Sequence, residues 1–243
     1  MARDLLGRWL VHEHPSGVRL MGRIVETEAY RQDDPAFHGW RLVDPATGRV
    51  RPEGRAYDLF APPGTAYVYL NYGMYWLLNV VTEPEGVGGA VLIRAVEPIA
   101  GLDFLRARRP KARRPCELTG GPGRLTVAFD IDGRYHRKPL TAPPLYFAPG
   151  KPVSDAEVAT SPRIGLSRGT DRLWRFFVRA IPTCRRVRGG KGGVNDSEPQ
   201  PGCQRIRPRV EQRPEARERW EAVLENAQLG VQWSFYPYPT RQI

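Results

Sequence analysis

Cysteine is scarce in the 243-residue chain. Cys116, Cys184 and Cys203 form an odd set with no C-x-x-C pair, so neither a disulfide framework nor a zinc knuckle is suggested and reduced thiols are expected. No stretch of 18 or more apolar residues occurs, which argues against a membrane-spanning helix. The segment from Met1 to Leu10 lacks the long apolar core of a signal peptide, and a soluble, intracellular protein without membrane association is expected. Acidic residues are also in deficit. There are 26 Asp and Glu against 37 Lys and Arg, a net charge of +11, and a basic surface attracts polyanions, nucleic acid above all.

Hydrophobic residues make up 41% of the chain and aromatics 10%, which argues against wholesale disorder; 25 glycines and 24 prolines favour short strands and many turns over a helical bundle. Leu5, Leu6, Trp9 and Leu10 fall on one helical stripe. A strand is predicted from Met21 to Tyr30, then a long irregular loop over 31–63, and long loops in compact domains are usually functional. Residues 65–81 carry aromatic and β-branched residues on both sides of Asn71-Tyr72-Gly73-Met74, which predicts a β-hairpin with Tyr72 at its tip. An apolar strand over 90–96 contains one charge, Arg94. A short helix is predicted over 102–109, and strand-like pieces over 125–131, 143–148 and 173–180. From about residue 181 the chain turns basic and Pro/Gly-rich, with one tail helix beginning near Pro214. The expected architecture is α+β: a single compact domain over 1–180 with a curved antiparallel β-sheet core, a protruding hairpin and flanking helices. A linker and tail of no assigned role follow over 181–243.

Strand alternation puts Glu26, Glu28 and Tyr30 on one face. That face is either solvated or a polar site. Arg94, set among Val91, Leu92, Ile93, Ala95 and Val96, needs a carboxylate partner or a polar cleft unless it reaches solvent from an edge, and Glu26 and Glu28 are the natural candidates. Tyr67, Tyr69, Tyr72, Tyr75 and Trp76 crowd within ten positions. Flat rings beside a basic surface suit nucleobase stacking, worth ~1–3 kcal/mol per base; a core role is preferred for Tyr67 and Trp76, but not for Tyr72.

In these residues the chain resembles the alkyladenine DNA glycosylases, the 3-methyladenine DNA glycosylase family that is distinct from the helix-hairpin-helix type. The matching runs are Arg23–Tyr30, Asp34–His38, Pro63–Tyr69, Tyr72–Asn79, Val91–Pro98, Leu118–Leu125, Ser161–Gly165 and Trp174–Phe176, in order along the chain. The resemblance implies an enzyme that flips a damaged purine out of duplex DNA and hydrolyses its N-glycosidic bond, leaving an abasic site without strand cleavage. It implies Glu28 as the catalytic glutamate and Arg94 as the arginine that helps hold it and its water. Tyr30, His38 and Tyr69 then sandwich the base, Asn79 opposes the exocyclic amino group of guanine, and Tyr72 with Met74 enters the DNA. No cofactor or metal is implied; the partner is double-stranded DNA containing damaged purines, and a monomer is expected. The chain departs from the family pattern at Gly120 and Val127. A lesion- or nucleic-acid-binding module of this fold with little turnover is the competing reading. The runs from Arg106 to Arg114 and from Arg185 to Lys191 are candidate phosphate contacts or merely solvated charge.

Overall fold

The computed structural model describes residues 1–179 and residue 181. Cys184, Cys203, the Arg185 to Lys191 run and the expected tail helix lie outside the described residues. Two antiparallel hairpins frame the fold: β1 (Trp9–Glu13) with β2 (Arg19–Arg31), and β3 (Ala66–Asn71) with β4 (Tyr75–Val81). The long strand β5 (Gly89–Ala100) joins them by pairing with both β4 and β2. With β6 (Leu145–Ala148) beside β1, the path runs β3-β4-β5-β2-β1-β6. A last pair, β7 (Val158–Ser161) and β8 (Arg175–Val178), attaches through β8 to β2 and completes a curved eight-stranded antiparallel sheet. The α+β expectation holds.

Among the described residues three helices accompany the sheet: α1 (Leu102–Arg108), α2 (Pro115–Thr119) and α3 (Pro122–Phe129). Leu10, Leu20, Ile24, Val68, Leu78 and Ile93 from the strands form one buried cluster with Leu105 of α1 and Leu125 and Phe129 of α3. Each such side chain contributes ~1.5–3 kcal/mol on burial. The N-terminus of α3 lies close against the second hairpin: a Cβ on Gly123 would come within 2.8 Å of the Tyr75 side chain.

Three local expectations are corrected. The Leu5–Leu10 stripe is not a helix; Gly7 takes φ +86, its N–H bonds the Ile24 carbonyl at 2.9 Å, and the chain then enters β1. Residues 125–131 are not a strand. Pro122 opens α3, and Leu125, Ala128 and Phe129 are buried at helical spacing, so the β-branched content of that run is overridden by the 3.6 period. Cys116 is disulfide-bonded and not a reduced thiol; spacing in the sequence carries no information on which thiols meet. The 31–63 loop is as irregular as expected, with single 3-10 turns at Trp40–Leu42 and Arg55–Phe60.

Candidate active site

The middle of β2 is its most covered part, because Glu26 to Glu28 pair with β5 on one side and with β8 on the other. The β2–β5 register slips on both sides of Glu26, and Arg94 has no directly opposed partner there. Such bulges re-aim side chains. Here Arg94, only 3% exposed, meets both carboxylates: its Nε donates to Glu26 Oε1 at 2.7 Å and its Nη1 lies 3.1 Å from Glu28 Oε2. Burial opposes the charge on this guanidinium, yet Glu28 and Glu26 outweigh it and raise its pKa. Arg175 of β8 brings a second cation, donating to Glu26 Oε1 at 2.6 Å and to Ser161 Oγ at 3.0 Å. Two buried carboxylates are thus matched by two buried guanidiniums, as a low-dielectric interior requires.

Glu28 is fully buried, and its carboxylate is held at both ends. Oε2 also accepts the Tyr30 hydroxyl at 2.9 Å, while Oε1 accepts the Ile164 backbone N–H at 2.8 Å. It lines a cavity of about 970 Å³ that Tyr30, His38, Tyr69, Asn79 and Arg94 also line. The Nη2 of Arg94 has no hydrogen-bond partner among the described residues.

The rings of His38 and Tyr69 lie 4.5 Å apart between centroids, tilted by 54°. Atoms in contact need ~3.5–4.0 Å on each side of an inserted plane, so no base fits between these two. They act as one wall. His38 Nδ1 sits 3.2 Å from the Tyr67 hydroxyl, which ties that wall to the small cluster of Phe37, Leu59, Phe60, Tyr67 and Ala90. Burial lowers the His38 pKa and pushes that of Tyr69 up to about 12, and burial followed by the Glu28 charge raises that of Tyr30. All three rings are therefore uncharged at neutral pH. The Asn79 amide donates to the Tyr67 carbonyl at 3.2 Å.

The second hairpin projects Tyr72 and Met74 at the cavity mouth, 85% and 67% exposed. Tyr72 has φ +50 and Gly73 φ +68, closed by a Met74 N–H to Asn71 carbonyl bond of 3.0 Å. Both central residues of this turn are left-handed, a conformation that twists with the flanking strands but disfavours a tyrosine. Arg109, Arg124 and Arg168 line the same cavity.

Comparison with known proteins decides the family. The profile of the methylpurine-DNA glycosylase family matches residues 1–182. The chain belongs to that family. It is 61% identical over 181 residues to the "Putative 3-methyladenine DNA glycosylase" of Salinibacter ruber, covering 74% of this chain and 87% of the relative. Proteins of the same name from Rubrobacter xylanophilus and Prosthecochloris aestuarii are 46% identical over 176 residues and 41% over 183; they cover 72% and 75% of this chain and 85% and 83% of their own lengths. The chain is thus a DNA glycosylase of alkylated-purine repair, and its substrate is DNA.

In this glycosylase the structure gathers Glu28, Arg94, Tyr30, His38, Tyr69, Asn79, Tyr72 and Met74 around one cavity. Gly120 and Val127, where the chain departs from the family pattern, are not among its lining residues, although Gly121 to Arg124 are. Sequence reasoning missed Arg175, although an arginine in an Arg-Phe-Phe-Val strand carries the same signal as Arg94. It also missed the Ile164 N–H and the buried Asp34–Arg163 ion pair; a backbone donor leaves no mark in side-chain chemistry.

Proposed function

We propose that this enzyme flips 3-methyladenine-, 7-methylguanine- and hypoxanthine-type purines out of duplex DNA and hydrolyses the N-glycosidic bond with a water activated by Glu28. The observation that carries this reading is the Glu28 carboxylate, wholly buried yet on the cavity wall, with Arg94 Nη2 beside it unpartnered among the described residues. A fixed carboxylate there stabilises oxocarbenium character at the sugar and accepts the proton of the attacking water. The water oxygen bonds to C1′ as the C1′–N9 bond breaks, the bonding pair leaves on the purine, and an abasic site remains.

Tyr30 faces the flipped base from one side and the His38–Tyr69 wall from the other. Uncharged rings attract an electron-poor, cationic purine without charge repulsion, at ~0.5–2 kcal/mol per contact. Asn79 discriminates against guanine, whose exocyclic amino group it opposes. Tyr72 and Met74, exposed at a rigid turn, take the space the base vacates.

The test is single-turnover release of 3-methyladenine or hypoxanthine from a duplex. Release by the intact enzyme and its loss in Glu28→Gln support the reading. Lesion binding without release by the intact enzyme would establish a binding module instead.

A further inference from the structure

Behind Tyr30 lies a buried cluster that takes no part in the chemistry above. The Arg163 guanidinium reaches three chain segments. Nη1 pairs with Asp34 Oδ2 and donates to the Ala29 carbonyl at 2.8 Å, and Nη2 donates to the Gly169 carbonyl at 3.0 Å. Neither side chain of the Asp34–Arg163 pair is exposed at all. Asp34 Oδ1 also accepts the Ala36 N–H at 3.0 Å, on the segment that leads to His38. Gly169, at φ +58, seats the far end of the loop so closely that a Cβ there would run into Asp34 Oδ1. The guanidinium carbon stands 4.5 Å from the centroid of the Tyr30 ring and 5.3 Å from that of Trp174.

The residue after Arg163 is Ile164, whose N–H holds Glu28 Oε1. The other two donors, Tyr30 and Arg94, both act on Oε2. A carboxylate tethered by one oxygen can swing about it, whereas one tethered by both cannot. The Ile164 N–H therefore sets the carboxylate plane, and it belongs to a non-strand segment that would otherwise wander.

We propose that Arg163 and Asp34 are the positioning pair of this site: their buried ion pair fixes residues 163–169 so that Ile164 orients Glu28, while the same guanidinium backs the Tyr30 ring. The pair touches no reacting atom. Arginine is suited to this because its planar fork serves several acceptors at once, which a lysine cannot do. The inference rests on the reading of Glu28 as the water-activating carboxylate.

Arg163→Lys and Asp34→Asn test it in the full chain, with a duplex carrying one hypoxanthine as probe and thermal unfolding as the check on folding. Single-turnover excision is expected to slow by about 10- to 100-fold, with equilibrium binding to the lesion duplex unchanged. The loss should fall on the excision step alone, because a misaimed carboxylate leaves the base-binding walls in place. If Arg163→Lys does not fold, Asp34→Asn carries the test alone, since the asparagine carbonyl oxygen can still accept the Ala36 N–H while the ion pair to Arg163 is lost. A folded variant with the parental rate overturns the inference. So does a variant that loses lesion binding and excision together, which marks a merely structural pair. Glu28→Gln is measured alongside: full excision by that variant sinks the reading of Glu28 itself, whereas its silence beside normal positioning variants sinks only the role given to Arg163 and Asp34.

Discussion

Ile164 and Glu28 lie 136 residues apart in the chain, and the backbone N–H of the first donates to the carboxylate of the second at 2.8 Å. With Arg94 and Tyr30 on the other oxygen, both oxygens of the buried Glu28 carboxylate are held by donors. On the function proposed for Glu28, a general base so held is set before substrate arrives, and little reorganisation remains for the bond-breaking step.

Glu28→Gln is expected to lower single-turnover excision by at least about 10²- to 10⁴-fold, the usual contribution of a general base. Binding to a lesion-bearing duplex should persist, because the aromatic walls are untouched. Loss of cooperative unfolding instead of loss of excision would make Glu28 a structural residue.

Glu26→Gln removes the negative charge from the group whose Oε1 Arg94 and Arg175 share at 2.7 and 2.6 Å. It leaves one buried carboxylate for two buried guanidiniums. Breaking such a set costs about 3–5 kcal/mol, which lowers the unfolding midpoint by roughly 6–20 °C for a domain of this size. A calorimetric midpoint within error of the parent would mean that Arg94 finds another counter-charge.

Tyr72→Asn separates stability from function. Asparagine tolerates the left-handed backbone that Tyr72 holds at φ +50, so the unfolding midpoint should not fall. Losing the ring forfeits about 1–3 kcal/mol of stacking, or roughly 5- to 150-fold in the flipped population. Excision from duplex should drop accordingly, and more than from single-stranded DNA, where no neighbour has to be replaced. Equal losses on both substrates would take Tyr72 out of the DNA.

Stability should fall as pH drops below the ordinary histidine value. Burial lowers the pKa of His12, His38 and His136 from 6.5, and for His136 it outweighs the Asp58 carboxylate. Between 6.5 and those lowered values the unfolded chain binds more protons than the folded one, so unfolding free energy rises with pH across that window. The contribution is fully present above it and lost as pH falls through it. Unfolding midpoints measured on both sides of 6.5 should show this slope, and a flat profile would contradict it. At the low end a protonated His38 would repel a cationic purine, so excision of methylated bases should decline with acidity faster than excision of hypoxanthine.

Much of the site was legible because its geometry is local. Period-two alternation put Glu26, Glu28 and Tyr30 on one face, and an arginine within an apolar strand asked for those carboxylates; both hold. The hairpin was readable from aromatic and β-branched runs flanking a glycine turn. The failures were local signals overruled by context. Leu5 to Leu10 had helical spacing, but the Gly7 N–H donates to the Ile24 carbonyl and the Arg8 carbonyl accepts the Ile24 N–H. Residues 125–131 had strand composition, but Thr126 bonds the Trp76 carbonyl at 2.7 Å from within a helix.

The sequence by itself determined which chemical groups this glycosylase has to work with: a carboxylate pair, a buried cation, a set of rings and a tyrosine at a turn. Each follows from residue type and spacing over a few positions. Only the tertiary structure decided how the carboxylate is aimed. That depends on a register slip between β2 and β5, on β8 closing over the same stretch, and on an ion pair between residues 34 and 163. Contacts made over more than a hundred residues, one of them by a backbone N–H that every non-proline residue shares, exist only once the whole sheet has closed.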